Sequence, residues 1–224
     1  MKNVYILGLT AMVLASCGEK KAAETAAETV NKETRPAETS YKPAFEGQTR
    51  AEFVTTKTPY EVSVITENLG LAWAVINLPG NKLLTTDKNE GVMHIIDLNN
   101  PGKSKVVTGL PKVNVTSQGG LLDVVLDPDF ETNRTIYWSF SESLNDEKMN
   151  DHTAIAKGTL SADETKVENV QIIYKTFPAS NSGLHYGNRL IFDKDGYLFA
   201  CFGERSSIET RPLAQDLSTP LGKI

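Results

Sequence analysis

One short unit recurs along this chain and restricts its fold more than any other feature. It is an apolar strand, a tight turn, and a second apolar strand ending on a small or polar residue. The unit first appears as Ala74–Leu78, Lys82–Thr86 and Val92–Leu98, separated by Pro79-Gly80-Asn81 and Asn89-Glu90-Gly91. β-branched and long apolar residues between Gly, Pro and Asn clusters read as strands and turns, so this stretch predicts an antiparallel meander. Val62–Ile65, just ahead of it, reads as a further strand. The pattern returns as Leu121–Leu126, Thr135–Phe140 and Thr153–Leu160, then as Arg189–Phe192 and Tyr197–Phe202 across Asp193-Lys194-Asp195-Gly196. No convincing amphipathic period of helix length interrupts it. Small antiparallel sheets recurring on the order of every 50 residues predict an all-β fold of the β-propeller type. A β-sandwich, built from similar strands, is the rival. Residues 51–224 have room for three to four blades of about 45–55 residues. A propeller closes its ring to avoid raw sheet edges. The expectation is an incomplete ring of about three blades, the N-terminal part of a larger one.

The first fifty residues differ. Lys2 precedes an apolar run, Val4–Ala15, of signal-peptide length. The run ends in Leu14-Ala15-Ser16-Cys17. Small residues before a cysteine resemble a bacterial lipoprotein signal, which implies cleavage after residue 16 and a lipid on Cys17. An ordinary secretory signal is the alternative. Residues 17–50 follow with Ala22-Ala23-Glu24-Thr25 repeated as Ala26-Ala27-Glu28-Thr29, balanced charges and few bulky apolar side chains. Such a segment cannot offset its ordering entropy by burial and reads as a flexible tether. The expected organisation is a signal peptide over 1–16, an anchor and linker over 17–50, and the propeller over 51–224. The location it implies is the bacterial cell envelope, attached to a membrane by lipid and facing the periplasm or the exterior. A net charge of −5 and a pI near 5.3 lack the basic footprint of a duplex-binding protein, so no nucleic acid partner is expected. Two cysteines cannot staple a disulfide scaffold. Cys201, within Leu198–Phe202, reads as a buried strand residue.

Three strings carry chemistry. The first is Ser117-Gln118-Gly119-Gly120-Leu121-Leu122-Asp123, running on to Asp127-Pro128-Asp129-Phe130; the second is His185-Tyr186-Gly187-Asn188-Arg189-Leu190. The third is Asp195-Gly196-Tyr197 followed by Gly203-Glu204-Arg205 and Ala214-Gln215-Asp216. In this order they resemble the soluble quinoprotein glucose/sorbosone dehydrogenases, and within them the aldose sugar dehydrogenases. Leu69-Gly70-Leu71-Ala72-Trp73 resembles an opening motif of the same family, with Ala72 in the place of a proline.

The resemblance implies a six-bladed propeller that oxidises the anomeric CH–OH of aldose sugars to lactones with hydride transfer to pyrroloquinoline quinone (PQQ). It implies that His185 is the general base, a role that suits imidazole, whose reference pKa lies near neutrality. It places Gln118 near quinone and substrate, where an amide can both donate and accept. Gly119 and Gly120 would let the backbone turn closely into the next strand. Arg205 is a possible cofactor-binding residue. Arg189 fits a carboxylate, either of the cofactor or, preferentially, of a structural acid. The resemblance also implies calcium, with ligands expected beyond residue 224 and no metal site before it. The electron acceptor is unspecified.

His94 reads as a structural residue alternating toward a surface, and His152 as a solvated residue opening a loop. The three histidines are too dispersed for zinc. Asp127-Pro128-Asp129 and Asp193–Gly196 lack the full alternating ligand set of a calcium loop and read as blade turns. The other functions compatible with a propeller are a lactonase or hydrolase with a metal in its channel, and a non-catalytic module that binds a glycan or a protein.

Overall fold

The structure is a computed structural model that describes residues 40–48, 57–67, 69–144 and 150–224. The expected signal peptide, Cys17 and most of the expected linker lie outside the described residues. The chain divides into two compact units between Glu61 and Val62. In the first unit the described residues are exposed and hold a single turn, with the Gln48 N–H donating to the Phe45 carbonyl at 3.2 Å.

The second unit is built of antiparallel sheets. Ala72–Leu78 (β1), Lys82–Asp87 (β2), Val92–Asp97 (β3) and Ser104–Val107 (β4) form a four-stranded sheet in that order. Leu121–Leu126 (β5), Thr135–Ser143 (β6), Asp151–Leu160 (β7) and Val167–Lys175 (β8) form a second sheet, again in chain order. Gly187–Phe192 (β9) and Leu198–Phe202 (β10) form a two-stranded sheet. One helical turn, Phe130–Asn133 (α1), joins β5 to β6, and a 3₁₀ turn spans Arg211–Gln215.

Each sheet meets the next through its first strand, β1 to β5 and β5 to β9. Two sheets stacked face to face would not meet in this way. These are the blades of a β-propeller, with the innermost strand first. In the second sheet burial follows that order: all of β5 is buried or half-buried, whereas the outermost strand β8 is mostly exposed. The core between the first two blades contains Leu84, Met93, Val107, Leu121, Trp138 and Phe140. Tyr137 meets Phe192 edge to face at 5.1 Å and carries the packing into the third blade.

The expected meanders coincide with β1–β3, β5–β7 and β9–β10. Val62–Ile65 is not a strand. Its residues are exposed, and a run of alternating apolar residues forms a strand only where a ladder partner exists. The outer strands β4 and β8 carry no comparable sequence signal, because polar residues interrupt them and little of either is buried. In both four-stranded sheets the register shifts at the start of the inner strand, between Ala72 and Val75 in β1 and between Leu121 and Val124 in β5. β-bulges of this kind re-aim side chains and cluster near functional sites.

Candidate functional site

Two loops that lead into inner strands come together at the seam between the second and third blades. Gln118 lies just ahead of β5 and His185 just ahead of β9. The His185 N–H donates to Gln118 Oε1 at 3.0 Å, and the Gln118 N–H donates to the Gly183 carbonyl at 3.1 Å. Lys88, at the end of β2, is nearly buried; its Nζ donates to the Ser117 carbonyl at 3.0 Å and so ties the Gln118 loop to the first blade. Burial pushes the Lys88 ammonium below the usual lysine range. Gly120, with φ +143°, lies so close to Lys88 that a Cβ would stand 2.2 Å from the Lys88 carbonyl oxygen. The reading of Gly119-Gly120 as a close backbone turn therefore has a geometric cause.

His185 has φ +48°, in the left-handed region that a non-glycine residue occupies only when its surroundings fix it. Its Nδ1 is 2.8 Å from Glu204 Oε1, at the exit of β10. Glu204 Oε1 also accepts the Ser206 N–H at 3.2 Å. The His185 hydrogen bond, working against some desolvation, holds the Glu204 carboxyl below the usual glutamate range. An ionised carboxylate only accepts, so Nδ1 carries a proton, and in the neutral ring Nε2 presents its lone pair. The His185 side chain is 49% exposed, so that lone pair can meet a ligand. Gly203 makes this approach possible, since a Cβ there would fall 1.9 Å from the His185 carbonyl oxygen.

A buried polar cluster lies beneath. Asp151, at the start of β7, accepts hydrogen bonds from Asn114 Nδ2 (2.7 Å), Tyr186 Oη (2.5 Å) and Arg205 Nη2 (2.6 Å). Burial, and then the Asp151 carboxylate, push the Tyr186 hydroxyl well above its usual range. The Arg205 guanidinium lies 3.9 Å from the Tyr186 ring centroid. Its Nε donates to the Leu184 carbonyl at 2.9 Å and its Nη1 to the Asp151 carbonyl at 3.2 Å. Arg205 is 1% exposed, so the structure places it under the His185 loop rather than on its ligand-facing side.

Arg189 pairs with an acid, Asp123 on β5, at 3.0 Å. Burial raises the Asp123 carboxyl, opposed by the Leu190 N–H and by Arg189. Cys201 is half-buried, and its Sγ accepts the Arg189 N–H at 3.0 Å. His94 is a strand residue in β3, as expected, but it is buried rather than turned to a surface, with Nδ1 3.4 Å from Ser104 Oγ. His152 is not a solvated loop residue: it lies buried in β7 with Nε2 2.7 Å from Glu142 Oε2, because the β6–β7 hairpin is longer than its polar sequence suggests.

Among the described residues, no group of three or more His, Cys, Asp or Glu side chains converges as a metal site. An apolar cleft of about 620 Å³ opens between β8 and β10, lined by Ile155, Tyr174, Phe199, Phe202 and Leu217. It includes none of Gln118, His185 and Glu204. The acid–base groups His185 and Glu204 lie on the loops instead.

Sequence reasoning missed Glu204, Asp151, Asn114 and Lys88. Glu204 stood beside the flagged Arg205, and only the fold shows which of the two faces His185. Asp151 gave no signal beyond its place in a polar hairpin.

Glu204 also sets a pH expectation. A carboxyl whose folded pKa is depressed contributes stability above its unfolded pKa and loses it as pH falls through the folded value. The difference in melting temperature between wild type and Glu204→Gln should be present at neutral pH. It should shrink as pH drops below 4.5, the ordinary glutamate value. A difference that does not change across that range would show that the carboxylate contributes nothing through its charge.

Residues 69–224 match the family model described as Glucose / Sorbosone dehydrogenase. The chain belongs to the glucose/sorbosone dehydrogenase family. It is 40% identical over 164 residues to the aldose sugar dehydrogenase YliI of Escherichia coli K12, covering 73% of this chain and 42% of that protein. The soluble aldose sugar dehydrogenase of Escherichia coli, solved in its apo form, superposes with a TM-score of 0.64 at 38% identity, covering 71% of this chain and 44% of that one. The PQQ-bound aldose sugar dehydrogenase of Streptomyces coelicolor shares the fold, with a TM-score of 0.63 at 22% identity over 72% of this chain and 45% of that one. The chain thus spans less than half the length of these glucose/sorbosone dehydrogenase relatives. Within the family fold, the described residues supply two full blades, the hairpin of a third, and the loops that carry Gln118, His185 and Glu204.

Proposed function

We propose that the whole protein is a PQQ-dependent aldose dehydrogenase that oxidises the anomeric CH–OH of a sugar to a lactone. The observation that carries this reading is the orientation of His185, with Nδ1 bound to Glu204 and Nε2 left open on a half-exposed ring. In this reading Nε2 accepts the proton of the anomeric hydroxyl. Glu204 keeps the ring in the acceptor tautomer and stabilises the imidazolium that forms. Gln118 orients the ligand: its Oε1 is taken by the His185 N–H, which leaves its amide nitrogen as a donor to a sugar or quinone oxygen. PQQ, when bound, supplies the two-electron acceptor for the hydride that leaves the anomeric carbon. The Gln118 amide N–H suits an oxygen of such a group. Arg205 does not suit its carboxylates, because the guanidinium is buried and each of its three nitrogens already donates to Asp151 or Leu184. Calcium belongs to the reading through the family resemblance. The test is dye reduction by the whole protein with an aldose, calcium and PQQ. Sugar-dependent reduction that requires PQQ is expected, and a protein that binds PQQ without oxidising any aldose would overturn the reading.

We further propose that Cys17 is the lipidated mature N-terminus and that a tether holds the propeller at a bacterial membrane. Support comes from the apolar run ending in Leu14-Ala15-Ser16-Cys17. Intact-mass measurement on the membrane fraction should show acylation and loss of the first sixteen residues. A water-soluble mature form with an unmodified Cys17 would sink this proposal.

A further inference from the structure

Asp151 is 1% exposed, and its carboxylate is shared by three loops. Each of its three partners belongs to a loop that carries one group of the candidate site. Asn114 donates to Oδ2, while its own Oδ1 accepts the Thr116 N–H at 3.1 Å in the loop that carries Gln118. Tyr186 donates to the same Oδ2 and directly follows His185. Arg205 donates to Oδ1 and directly follows Glu204. The Asp151 main chain is tied as well: its N–H and carbonyl exchange hydrogen bonds with Ser180 at 3.0 and 2.8 Å, ahead of the loop that ends in His185.

We propose that Asp151 is a positioning residue: one buried carboxylate that fixes Gln118, His185 and Glu204 relative to one another without touching substrate. The inference rests on the reading of His185 as the base and deepens it. Hydrogen bonds to an ionised acceptor are stronger and shorter than neutral ones, so the three loops cannot shift independently while all converge on this carboxylate. Stability alone is a poor reason for such a group. A buried ion pair can often be exchanged for apolar residues of similar volume without loss of stability. What an apolar replacement cannot supply is a common origin for three separate loops. Proton abstraction needs that common origin, since displacements on the order of 1 Å cost rate steeply.

The test uses the whole protein and two variants. Asp151→Asn removes the charge and keeps the shape. Asp151→Asn combined with Arg205→Met removes both charges, so that no buried charge is stranded if the single variant fails to fold. The readouts are kcat, KM and hydrogen exchange at the His185 amide, which donates to Gln118. The expected result is a fall of about 10²-fold in kcat and kcat/KM together, with KM unchanged, and faster exchange at His185. In a His185→Ala background, Asp151→Asn should lower kcat no further. A folded variant with wild-type kcat and wild-type exchange would overturn the inference. So would a second full loss of kcat in the His185→Ala background, which would mean that Asp151 acts independently of the base. Faster exchange in the variants, with kcat unmoved both there and in His185→Ala, would remove His185 as base and leave Asp151 as the residue that places the loops.

Discussion

Replacing His185 with alanine in the whole protein is expected to lower sugar oxidation by roughly 10²–10⁴-fold, the range for losing a general base. The anomeric hydroxyl is a poor proton donor, and no other described group combines an open lone pair with this position. Glu204 is the nearest alternative, but its Oε1 is already bonded to His185 Nδ1 and to the Ser206 N–H, and its depressed pKa makes it a weaker base. The backbone should survive the change, because Gln118 accepts from the main-chain N–H of residue 185 rather than from the ring. PQQ should therefore still bind, and the loss should appear in kcat. Dye reduction under saturating PQQ and calcium, together with PQQ binding by equilibrium titration, separates the two. Full-length turnover unchanged by the substitution would remove His185 as the base.

Replacing Trp138 with alanine is expected to cost about 3–5 kcal/mol of stability, as for other large-to-small changes in packed cores. Trp138 lies in β6, fully buried, at the centre of the cluster that joins the first two blades. The indole tip is packed closely enough that a Cβ on Gly158 would come within 3.3 Å of it. Removing the ring thus leaves a void between sheets that cannot collapse without moving strands. The indole N–H finds no hydrogen-bond partner among the described residues, so its burial carries a desolvation cost. Trp138→Phe deletes that donor while keeping most of the volume, and should cost much less than alanine. Urea denaturation followed by circular dichroism would show a lower midpoint for Trp138→Ala at unchanged slope. Equal losses for the two variants would mean that the polar edge, not the volume, holds this position. Trp73, half exposed on β1, provides a fluorescence signal in both.

The inner parts of the blades were legible because their pattern is set by local physics. Lys82–Thr86 and Val92–Leu98 are apolar runs bounded by Gly and Asn, and both are buried strands. The outer strand β8 was not legible: Val167–Lys175 mixes Glu, Asn and Gln with its apolar residues, and its pairing with β7 becomes evident only in three dimensions. The same division runs through the site. His185 and Gln118 stand in strings with a distinctive order, and the fold brings them into contact. Glu204 and Asp151 act through contacts between distant segments, and nothing near them in sequence records those contacts. Arg205 was singled out through the family resemblance of its string, but its charge is satisfied inside the protein by Asp151. His152 was misread for the converse reason. Its polar neighbours suggest a loop, yet its hydrogen bond to Glu142 comes from pairing across the β6–β7 ladder.

The convergence of Asn114, Tyr186 and Arg205 on Asp151 also constrains how such a sequence can change over time. A mutation at Asp151 alone strands the Arg205 charge, and a mutation at Arg205 alone strands the Asp151 charge. Either intermediate costs about 3–5 kcal/mol, a large part of the roughly 5–15 kcal/mol that keeps a typical domain folded. Drift through single substitutions is blocked at these positions, although each one by itself is an ordinary polar residue. A descendant lineage with a different base loop should therefore have exchanged the acid and the arginine as a pair. The seam between the second and third blades would then be inherited as a block, while β4 and β8 at the blade rims remain free to vary.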